Sequence, residues 1–303
     1  MTNPLFAGRN CILPALVTPL TPEGKLDVAS AERLIDHLYN QGVGGLYVAG
    51  STGEGIYLDL DTRRKIVELS VSMSRGRGQV IAHVGAIEGS LAYELAQHAS
   101  KAGADAVASI PPFAGGYSWD EVYGYYRKLC EVSSLPVVGY YIPTLTGQAF
   151  PVEKLATLAE LPNMVGFKVT DTNLYTMQRL ASRLKPDQIL YNGPDELLAL
   201  GLLMGAHGGI GTTYNFMPKA FVEIATLSAA GRHAEAVAVQ KRVDQAIEAL
   251  LGFQGLAGSK QILVWQGIIA HNTCAAPRAS LNETQQAELR RRLASTIVAE
   301  SLK

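Results

Sequence analysis

The feature that most constrains the fold is a strand–helix alternation that repeats from near the start of the chain to about residue 230. In each repeat, a short apolar or β-branched run is followed by a small or polar turn and then by a longer stretch with helical periodicity. The strand-like runs cover residues 12–17, 45–48, 80–84, 106–110, 137–141, 165–169, 189–191 and 208–210. The amphipathic stretches between them include residues 29–40, 62–73, 91–101 and 121–132. The pattern predicts an α/β fold.

Strands that alternate with helices are joined by crossovers and therefore lie parallel. The runs show little alternation of apolar and polar residues, which is typical of strands covered on both faces. Because open doubly wound sheets usually stop at about five or six strands, eight units favour closure into a barrel. The sequence therefore predicts a (β/α)8 barrel, the TIM-barrel architecture, over residues 1–230.

The remainder of the chain contains helical stretches with no strand between them. They cover about residues 232–251, 256–270 and 283–300. No linker-like or low-complexity segment divides the chain, so a separate domain is not indicated. We predict that residues 231–303 form a C-terminal helical extension that packs on the barrel or is shared with a neighbouring subunit.

Charge and targeting signals narrow the partners and the compartment. The formal net charge is −1, which gives no basic footprint for nucleic acid and no polycationic face for a membrane. The first ten residues lack an apolar signal core, and no apolar run approaches the roughly 20 residues of a membrane helix. Cys11, Cys130 and Cys274 form no CxxC pair, which favours reduced structural thiols. We expect a cytoplasmic protein with a small-molecule ligand.

Polar residues gather where the predicted strands end, which is where barrel enzymes carry their chemistry. The residues at or just after strand ends are Thr18, Ser51, Thr52, His83, Ser109, Tyr140, Lys168, Thr170, Asn192, Asp195, Glu196, Thr212 and Thr213. Of the six histidines only His83 is placed to enter such a site. One ligand does not make a metal centre, so we predict a site without metal at one mouth of the barrel.

Lys168 is the most informative of these residues, because it lies inside the predicted sixth strand. The other ten lysines lie on predicted helices, helix ends or loops, where an ammonium can reach water. Burial of an unpaired ammonium is costly and favours the neutral amine, which is the form that attacks a carbonyl. The sequence therefore predicts a Schiff-base lysine. The alternative is a structural lysine paired with a barrel carboxylate, although the other predicted strands contain no Asp or Glu.

Tyr140 ends the preceding strand, so its hydroxyl is expected near Lys168. A phenol beside an iminium can transfer protons while a carbon–carbon bond breaks. The alternative is a core tyrosine with a satisfied hydroxyl. Tyr141 is expected to point to the opposite face and to serve packing.

Two glycine-rich turns and one acidic turn complete the candidate site. Residues 50–54 read Gly-Ser-Thr-Gly-Glu and offer amides and hydroxyls to an anion, and residues 208–213 are comparable. Either could instead be an ordinary strand–helix turn. Residues 193–196 read Gly-Pro-Asp-Glu, with proline expected at the first helical position. The two acids either begin the helix or hold substrate hydroxyls.

These motifs together resemble the N-acetylneuraminate lyase and dihydrodipicolinate synthase family. The matching segments are residues 50–54, 140–143, 166–170 and 208–211, and the resemblance covers essentially the whole chain. It implies a class I pyruvate aldolase without metal or organic cofactor, usually a homotetramer. By resemblance, Lys168 is the Schiff-base lysine and Tyr140 the proton-handling phenol, while Ser51 and Thr52 bind the keto-acid carboxylate. The other substrate-binding positions predicted are Thr170, Gly193, Asp195, Glu196, Ile210 and Thr212.

Within the family, the sequence is more similar to the lyase branch. Residues 81–85, 190–193 and the Asp195–Glu196 pair resemble sialic acid lyases, where that pair contacts the hydroxyls of the sugar chain. The synthases carry an arginine two residues after the motif proline to bind a second carboxylate. This chain has Leu145 there, which argues against dihydrodipicolinate synthesis.

Two positions depart from the lyase pattern. The tyrosine that the family extends into the neighbouring subunit's site is replaced by Ala114, with Tyr117 as a candidate substitute, and Pro194 replaces an aromatic residue. Residues 140–147 also resemble aldolases of 2-keto-3-deoxy sugar acids. We predict reversible cleavage of a polyhydroxylated, N-acetylneuraminate-like 2-keto acid to pyruvate and an aldehyde. The alternatives are a sugar-acid aldolase or dehydratase, a condensing synthase, and a non-catalytic keto-acid sensor.

Overall fold

A computed structural model describes residues 12–302 and contains eight strands that alternate with helices. The strands are β1 Ile12–Pro14, β2 Gly45–Val48, β3 Gln79–His83, β4 Ala106–Ser109, β5 Val137–Tyr141, β6 Met164–Val169, β7 Ile189–Asn192 and β8 Gly208–Gly211. The helices that accompany them are α1 Val28–Asn40, α2 Leu60–Ser74, α3 Gly89–Ala102, α4 Trp119–Val132, α5 Pro143–Thr146, α6 Val152–Ala159, α7 Leu174–Ala181, α8 Leu198–Leu203 and α9 Pro218–Ala229. After β8 and α9 follow α10 His233–Ala249, α11 Gly255–Trp265 and α12 Glu283–Leu293.

All strand pairs are parallel, and the sheet order is β1-β8-β7-β6-β5-β4-β3-β2. The two edge strands meet through an isolated parallel bridge between Ala15 and Tyr47, where Leu16 N donates to Tyr47 O at 2.9 Å. The predicted (β/α)8 TIM barrel with additional C-terminal helices is confirmed.

β1 is shorter than the sequence predicts, because it ends at Pro14 rather than at residue 17. The N–H of Val17 donates to the side chain of Asn215 at 3.1 Å instead of to a strand. The Asn215 amide also donates to Ala15 O at 2.7 Å. This side chain therefore ends the strand pairing and connects the end of β1 to the turn after β8.

Alternate residues of each strand face the barrel interior or the surrounding helices. The interior cluster contains Leu13, Tyr47, Ile81, Val138, Tyr140, Ile189, Tyr191 and Ile210, among others. The outer cluster, between sheet and helices, contains Tyr141 and Phe167. Tyr140 and Tyr141 thus face opposite sides of β5, as the sequence predicts.

A bulge in β6 determines which way Lys168 faces. The register with β5 shifts so that Val137 pairs with Met164 and Val138 with Gly166. Gly166 has φ +150°, and a Cβ there would lie 1.9 Å from the carbonyl oxygen of Ile189. Only glycine fits this position, because neighbouring strand and backbone conformation both exclude a side chain. After the bulge, Lys168 pairs with Tyr140 across the sheet.

The helices after residue 230 pack on the part of the barrel that follows β7 and β8. α10 contacts α8 and α9, and α12 contacts α10 and α11. One prediction is wrong here: Lys260, on α11, was expected to reach water, yet its side chain is fully buried. Cys130 and Cys274 are buried free thiols, and Cys11 lies outside the described residues. Within residues 12–302, no helix has both the length and the apolar character needed to cross a membrane.

Candidate active site

The carboxyl ends of the strands open into a polar mouth with two adjoining cavities of about 360 and 400 Å3. The first lies beyond β6 and β7, and the second lies between the 50–54 turn and the α10–α11 connection. Thr212, Thr213 and Ile247 line both cavities. The predicted residues that line one or both are Ser51, Thr52, Thr170, Gly193, Asp195, Glu196 and Thr212.

Lys168 lies beneath this mouth with only 5% of its surface exposed. Its Nζ is 4.3 Å from the ring centroid of Tyr140 and 4.9 Å from that of Tyr47. Among the residues the structure describes, no carboxylate forms an ion pair with it. The alternative of a lysine paired with a barrel carboxylate is therefore not what the structure contains. Lys168 instead lies between two aromatic faces.

Tyr140 is positioned beside Lys168 by the β5–β6 pairing and is itself buried. The Thr170 hydroxyl, two residues beyond Lys168, donates to the Tyr140 oxygen at 3.3 Å. Thr170 is held in turn by its own N–H, which donates to Tyr141 O at 2.8 Å. Because the phenolic oxygen accepts this hydrogen bond, the O–H of Tyr140 remains available as a donor.

The 50–54 turn places Ser51 and Thr52 at the mouth. The Thr52 hydroxyl is 2.7 Å from the Thr212 hydroxyl, so the two glycine-rich turns meet across the end of β1. Below them, the Thr18 hydroxyl donates to Gly53 O at 2.7 Å. The turn is therefore anchored from beneath while its hydroxyls face the cavity.

Asp195 and Glu196 are neighbours in sequence but have different environments. Asp195 is buried, and its Oδ2 accepts hydrogen bonds from the N–H and the hydroxyl of Thr213, both at 2.7 Å. Burial raises the pKa of Asp195 to about 6, although the hydrogen bonds from Thr213 oppose that rise. Glu196 is exposed at the edge of the cavity. Pro194, expected at the first helical position, instead precedes a 3-10 turn at Asp195–Leu197.

Gly193 and Ile210 lie on either side of this acidic turn. Gly193 N donates to Val169 O at 2.8 Å, and a Cβ there would lie 1.9 Å from Oγ1 of Thr170. The absent side chain thus leaves room for the Thr170 hydroxyl that reaches Tyr140. Ile210 is fully buried in the interior cluster, below the mouth.

His83 faces the interior without forming a metal site. Its Nε2 accepts a hydrogen bond from Ile110 N at 3.3 Å. Burial, the Arg63 guanidinium and Lys168 hold the pKa of His83 well below its usual range, so the ring is neutral. Arg63 is itself buried, and burial lowers its pKa to about 10; its Nη2 donates to His83 O and Gly85 O, each at 2.9 Å. Across residues 12–302, no three metal-ligating side chains cluster.

Tyr47 is the interior residue that sequence reasoning missed. It stands mid-strand in an apolar run, so it gave no polar signal at a strand end. Its ring is nearly perpendicular to that of Tyr140, with centroids 6.2 Å apart, and its buried hydroxyl has no hydrogen-bond partner in the described part of the chain.

Ala114, one of the two positions that depart from the lyase pattern, lies in the loop after β4. Ala114 is exposed and has φ +70°, and Gly115 O accepts a hydrogen bond from Gln148 at 3.1 Å. The Tyr117 ring folds back over Gly115, within 3.4–3.6 Å of the position its Cβ would occupy. Tyr117 is partly buried against the outer cluster of its own chain.

A (β/α)8 barrel with one lysine buried in its strand wall beside a tyrosine is the architecture of a class I aldolase, which works through a lysine Schiff base. Residues 9–296 match the model of the dihydrodipicolinate synthetase family. The chain belongs to this family, and it is a carbon–carbon lyase.

Three similar proteins place the chain within that family. It is 38% identical over 257 residues to an N-acetylneuraminate lyase of Rhizobium meliloti (strain 1021), covering 85% of each chain. It is 35% identical to an N-acetylneuraminate lyase of Enterobacter sp. (strain 638), covering 92% of this chain and 94% of that one. The solved structure of a catalytic lysine mutant of Ruminococcus gnavus sialic acid aldolase is 26% identical with a TM-score of 0.92, over 99% of this chain and 98% of that one.

Proposed function

We propose that the protein reversibly cleaves a polyhydroxylated 2-keto acid, of the N-acetylneuraminate type, to pyruvate and an aldehyde. The observation that carries this proposal is that Lys168 is buried 4.3 Å from the Tyr140 ring and forms no ion pair with a carboxylate of residues 12–302. The names of the relatives support it, since two are N-acetylneuraminate lyases and the third is a sialic acid aldolase with a catalytic lysine.

The reaction proceeds through a covalent intermediate on Lys168 and needs no other cofactor. The neutral amine adds to the C2 carbonyl, and water leaves to give a protonated imine. When the C3–C4 bond breaks, the iminium accepts the electron pair and becomes an enamine. The proton of the C4 hydroxyl passes through Tyr140 to C3 of the enamine. Water then hydrolyses the imine, which releases pyruvate and restores the amine.

The surrounding residues hold the two ends of the substrate. The hydroxyls of Ser51 and Thr52 bind the keto-acid carboxylate, with Thr212 hydrogen-bonded to Thr52 behind them. Thr170 stabilises negative charge on the Tyr140 oxygen as the proton moves, because it donates to that oxygen.

The polyol chain lies in the cavity of about 360 Å3 beyond β6 and β7. The exposed Glu196 accepts hydrogen bonds from its hydroxyls, beside Gly193. Asp195 acts from behind by fixing Thr213, and Ile210 closes the interior beneath the reacting carbons. Each of these roles is part of the proposal.

We extend the proposal to organisation and location. The barrel of residues 1–230 and the extension of residues 231–303 form one catalytic subunit, which assembles as a cytoplasmic homotetramer, as the family resemblance implies. Exposed apolar side chains on α7 and α8, such as Tyr175, Leu200 and Leu203, support burial of this face. Sedimentation analysis of the purified chain tests the assembly, and a monomer at working concentration would contradict it.

The decisive experiment combines borohydride trapping with product analysis. Pyruvate followed by borohydride should convert the imine to a stable amine on the peptide that contains Lys168, detected by mass spectrometry. Lys168→Ala should abolish both the adduct and turnover, while Lys154→Ala, on α6, should retain both. An adduct that persists in Lys168→Ala would overturn the mechanism.

The substrate is tested in the same preparation by pyruvate release from N-acetylneuraminate and from a set of 2-keto-3-deoxy sugar acids. Release from N-acetylneuraminate is the expected result. Release from a deoxy sugar acid alone favours the second candidate, a sugar-acid aldolase, which Ala114 and the buried Pro194 make the nearest alternative. An adduct without turnover of any substrate would identify a keto-acid sensor instead.

A further inference from the structure

The glycine-rich turn that presents Ser51 and Thr52 ends in a carboxylate that points away from the cavity. Glu54 is fully buried, and its Oε2 forms an ion pair with Nζ of Lys260 on α11 at 2.5 Å. Its Oε1 accepts a hydrogen bond from Ala275 N at 2.6 Å, and Lys260 also donates to Thr273 O at 2.7 Å. A single side chain of the turn thus connects it to two separate segments of the C-terminal extension.

The backbone of the turn includes a strained residue, and such a conformation persists only when surrounding contacts hold it. Glu54 has φ +59°, a left-handed conformation that a non-glycine residue adopts rarely and at a cost. Its N–H donates to Ser51 O at 3.2 Å, so the strained residue closes directly onto the residue that lines the cavity. At Gly55, a Cβ would lie 1.9 Å from Ala49 O, which makes the turn close-packed on its other side.

A buried ion pair is weak evidence for a contribution to stability, because well-packed apolar residues often serve equally well. Its best-attested use is to select one arrangement of the segments it joins. Here it joins the extension to the turn, and the turn carries the hydroxyls of Ser51 and Thr52 at the mouth.

We propose that Lys260 is a positioning residue, which acts through Glu54 to hold Ser51 and Thr52 where they bind the substrate carboxylate. The proposal rests on the function proposed above. The C-terminal extension would then contribute to substrate binding, although it is far from Lys168 in the sequence. Lys260 itself touches neither substrate nor reacting atoms.

The test measures the pyruvate concentration that gives half-maximal borohydride trapping at Lys168. Lys260→Met should raise this concentration by about ten- to a hundredfold, the scale of losing one hydrogen bond to a charged group. Glu54→Gln keeps an acceptor for Ala275 N and loses the charge, and it should produce a rise in the same direction. It serves as the second variant if Lys260→Met does not fold.

Two controls separate positioning from loss of folded protein. Leu263→Ala, at a fully buried position of the same helix, should lower the melting temperature and the maximal adduct without changing the half-maximal concentration. The double variant Glu54→Gln/Lys260→Met should recover melting temperature, since no buried charge is left unpaired, but not pyruvate binding.

The outcomes are distinct from those that test the main function. If pyruvate is not trapped on Lys168 of the wild-type protein, the proposed function and this inference are both overturned. If the wild type is trapped and Lys260→Met shows an unchanged half-maximal concentration, only the positioning role is overturned. Recovery of pyruvate binding together with stability in the double variant would also overturn it.

Discussion

Tyr140 and Tyr141 are adjacent residues with opposite surroundings, and the contrast provides an internal control. The Tyr140 ring faces Lys168 and its phenolic oxygen accepts a hydrogen bond from the Thr170 hydroxyl, whereas Tyr141 packs in the outer cluster. Tyr140→Phe removes the hydroxyl that we propose transfers the proton, and it should lower kcat by about 10²- to 10⁴-fold, the usual contribution of general acid–base catalysis. Steady-state pyruvate release measures the effect.

Tyr141→Phe removes an equivalent hydroxyl from the same strand and should change kcat by no more than about threefold, because the ring packs between sheet and helices. A Tyr140→Phe enzyme as fast as Tyr141→Phe would exclude Tyr140 from proton transfer. Trapping of pyruvate on the Tyr140→Phe variant shows separately whether imine formation also needs the hydroxyl.

Among single residues, the sequence pointed to those whose side chains are unusual for the secondary-structure element that carries them. A lysine inside a buried strand is unusual, so Lys168 stood out as a candidate. The pairing of consecutive strands then placed Tyr140 beside it. Tyr47 could not be found, since an aromatic residue in a strand conflicts with nothing. Lys260 was misassigned because a lysine on a helix is ordinarily exposed, and its partner Glu54 lies 206 residues away.

Among the elements, β6 shows how a bulge determines the position of the candidate catalytic residue. Gly166 occupies the bulge with φ +150°, and Lys168 follows two residues later. Gly166→Ala would bring a methyl group to 1.9 Å from Ile189 O. The strand must then shift, so we expect a loss of several kcal/mol in the free energy of unfolding and loss of trapping at Lys168. Urea unfolding and borohydride trapping measure the two effects.

Gly124→Ala is the matched control, because this glycine lies in the interior of α4 and a Cβ there meets no atom within 4 Å. Alanine should raise the free energy of unfolding by about 0.5–1 kcal/mol through helix propensity, with trapping unchanged. If both alanine variants behaved alike, the steric account of the bulge would be wrong.

The periodicity of the sequence predicted which segments are strands and which are helices. Some of their first and last residues are determined instead by contacts with residues distant in the sequence. β1 ends early because Asn215, distant in sequence, takes the N–H of Val17. The short helix α5 lies within the 140–147 segment, where the motif was apparent but the helix was not. Similarly, Pro194 was expected to open a helix, yet a 3-10 turn intervenes before α8.

The whole molecule inherits its architecture from a repeated local pattern, which explains why the barrel was predictable. From β2 to β8 each strand pairs with the next along the chain, β1 pairs with β8, and the isolated bridge between Ala15 and Tyr47 joins the two edge strands. The placement of α10–α12 was less constrained, because helices without intervening strands give no register. α10 contacts α8 and α9, whereas α12 contacts α10 and α11.

The buried titratable groups predict how the stability of the whole molecule changes with pH. Burial depresses the pKa of His83 most, and it also depresses those of His37 and His207. Below pH about 6.5 the unfolded chain binds protons at these rings that the native state does not bind, so stability falls as pH falls. Asp195, with its pKa raised to about 6, acts in the opposite direction below that pH, as does Asp244, whose pKa burial also raises; they are two groups against three.

We therefore expect the free energy of unfolding to decrease from pH 7 to pH 5, with His83 contributing up to about 1.4 kcal/mol per pH unit. His83→Gln keeps an acceptor for Ile110 N and removes the titrating ring, so it should flatten the dependence by up to that amount. Urea midpoints at half-unit pH intervals measure the slopes. Equal slopes for the wild type and His83→Gln would mean that the ring binds its proton in the native state, and that the interior of the barrel admits charge beside Lys168.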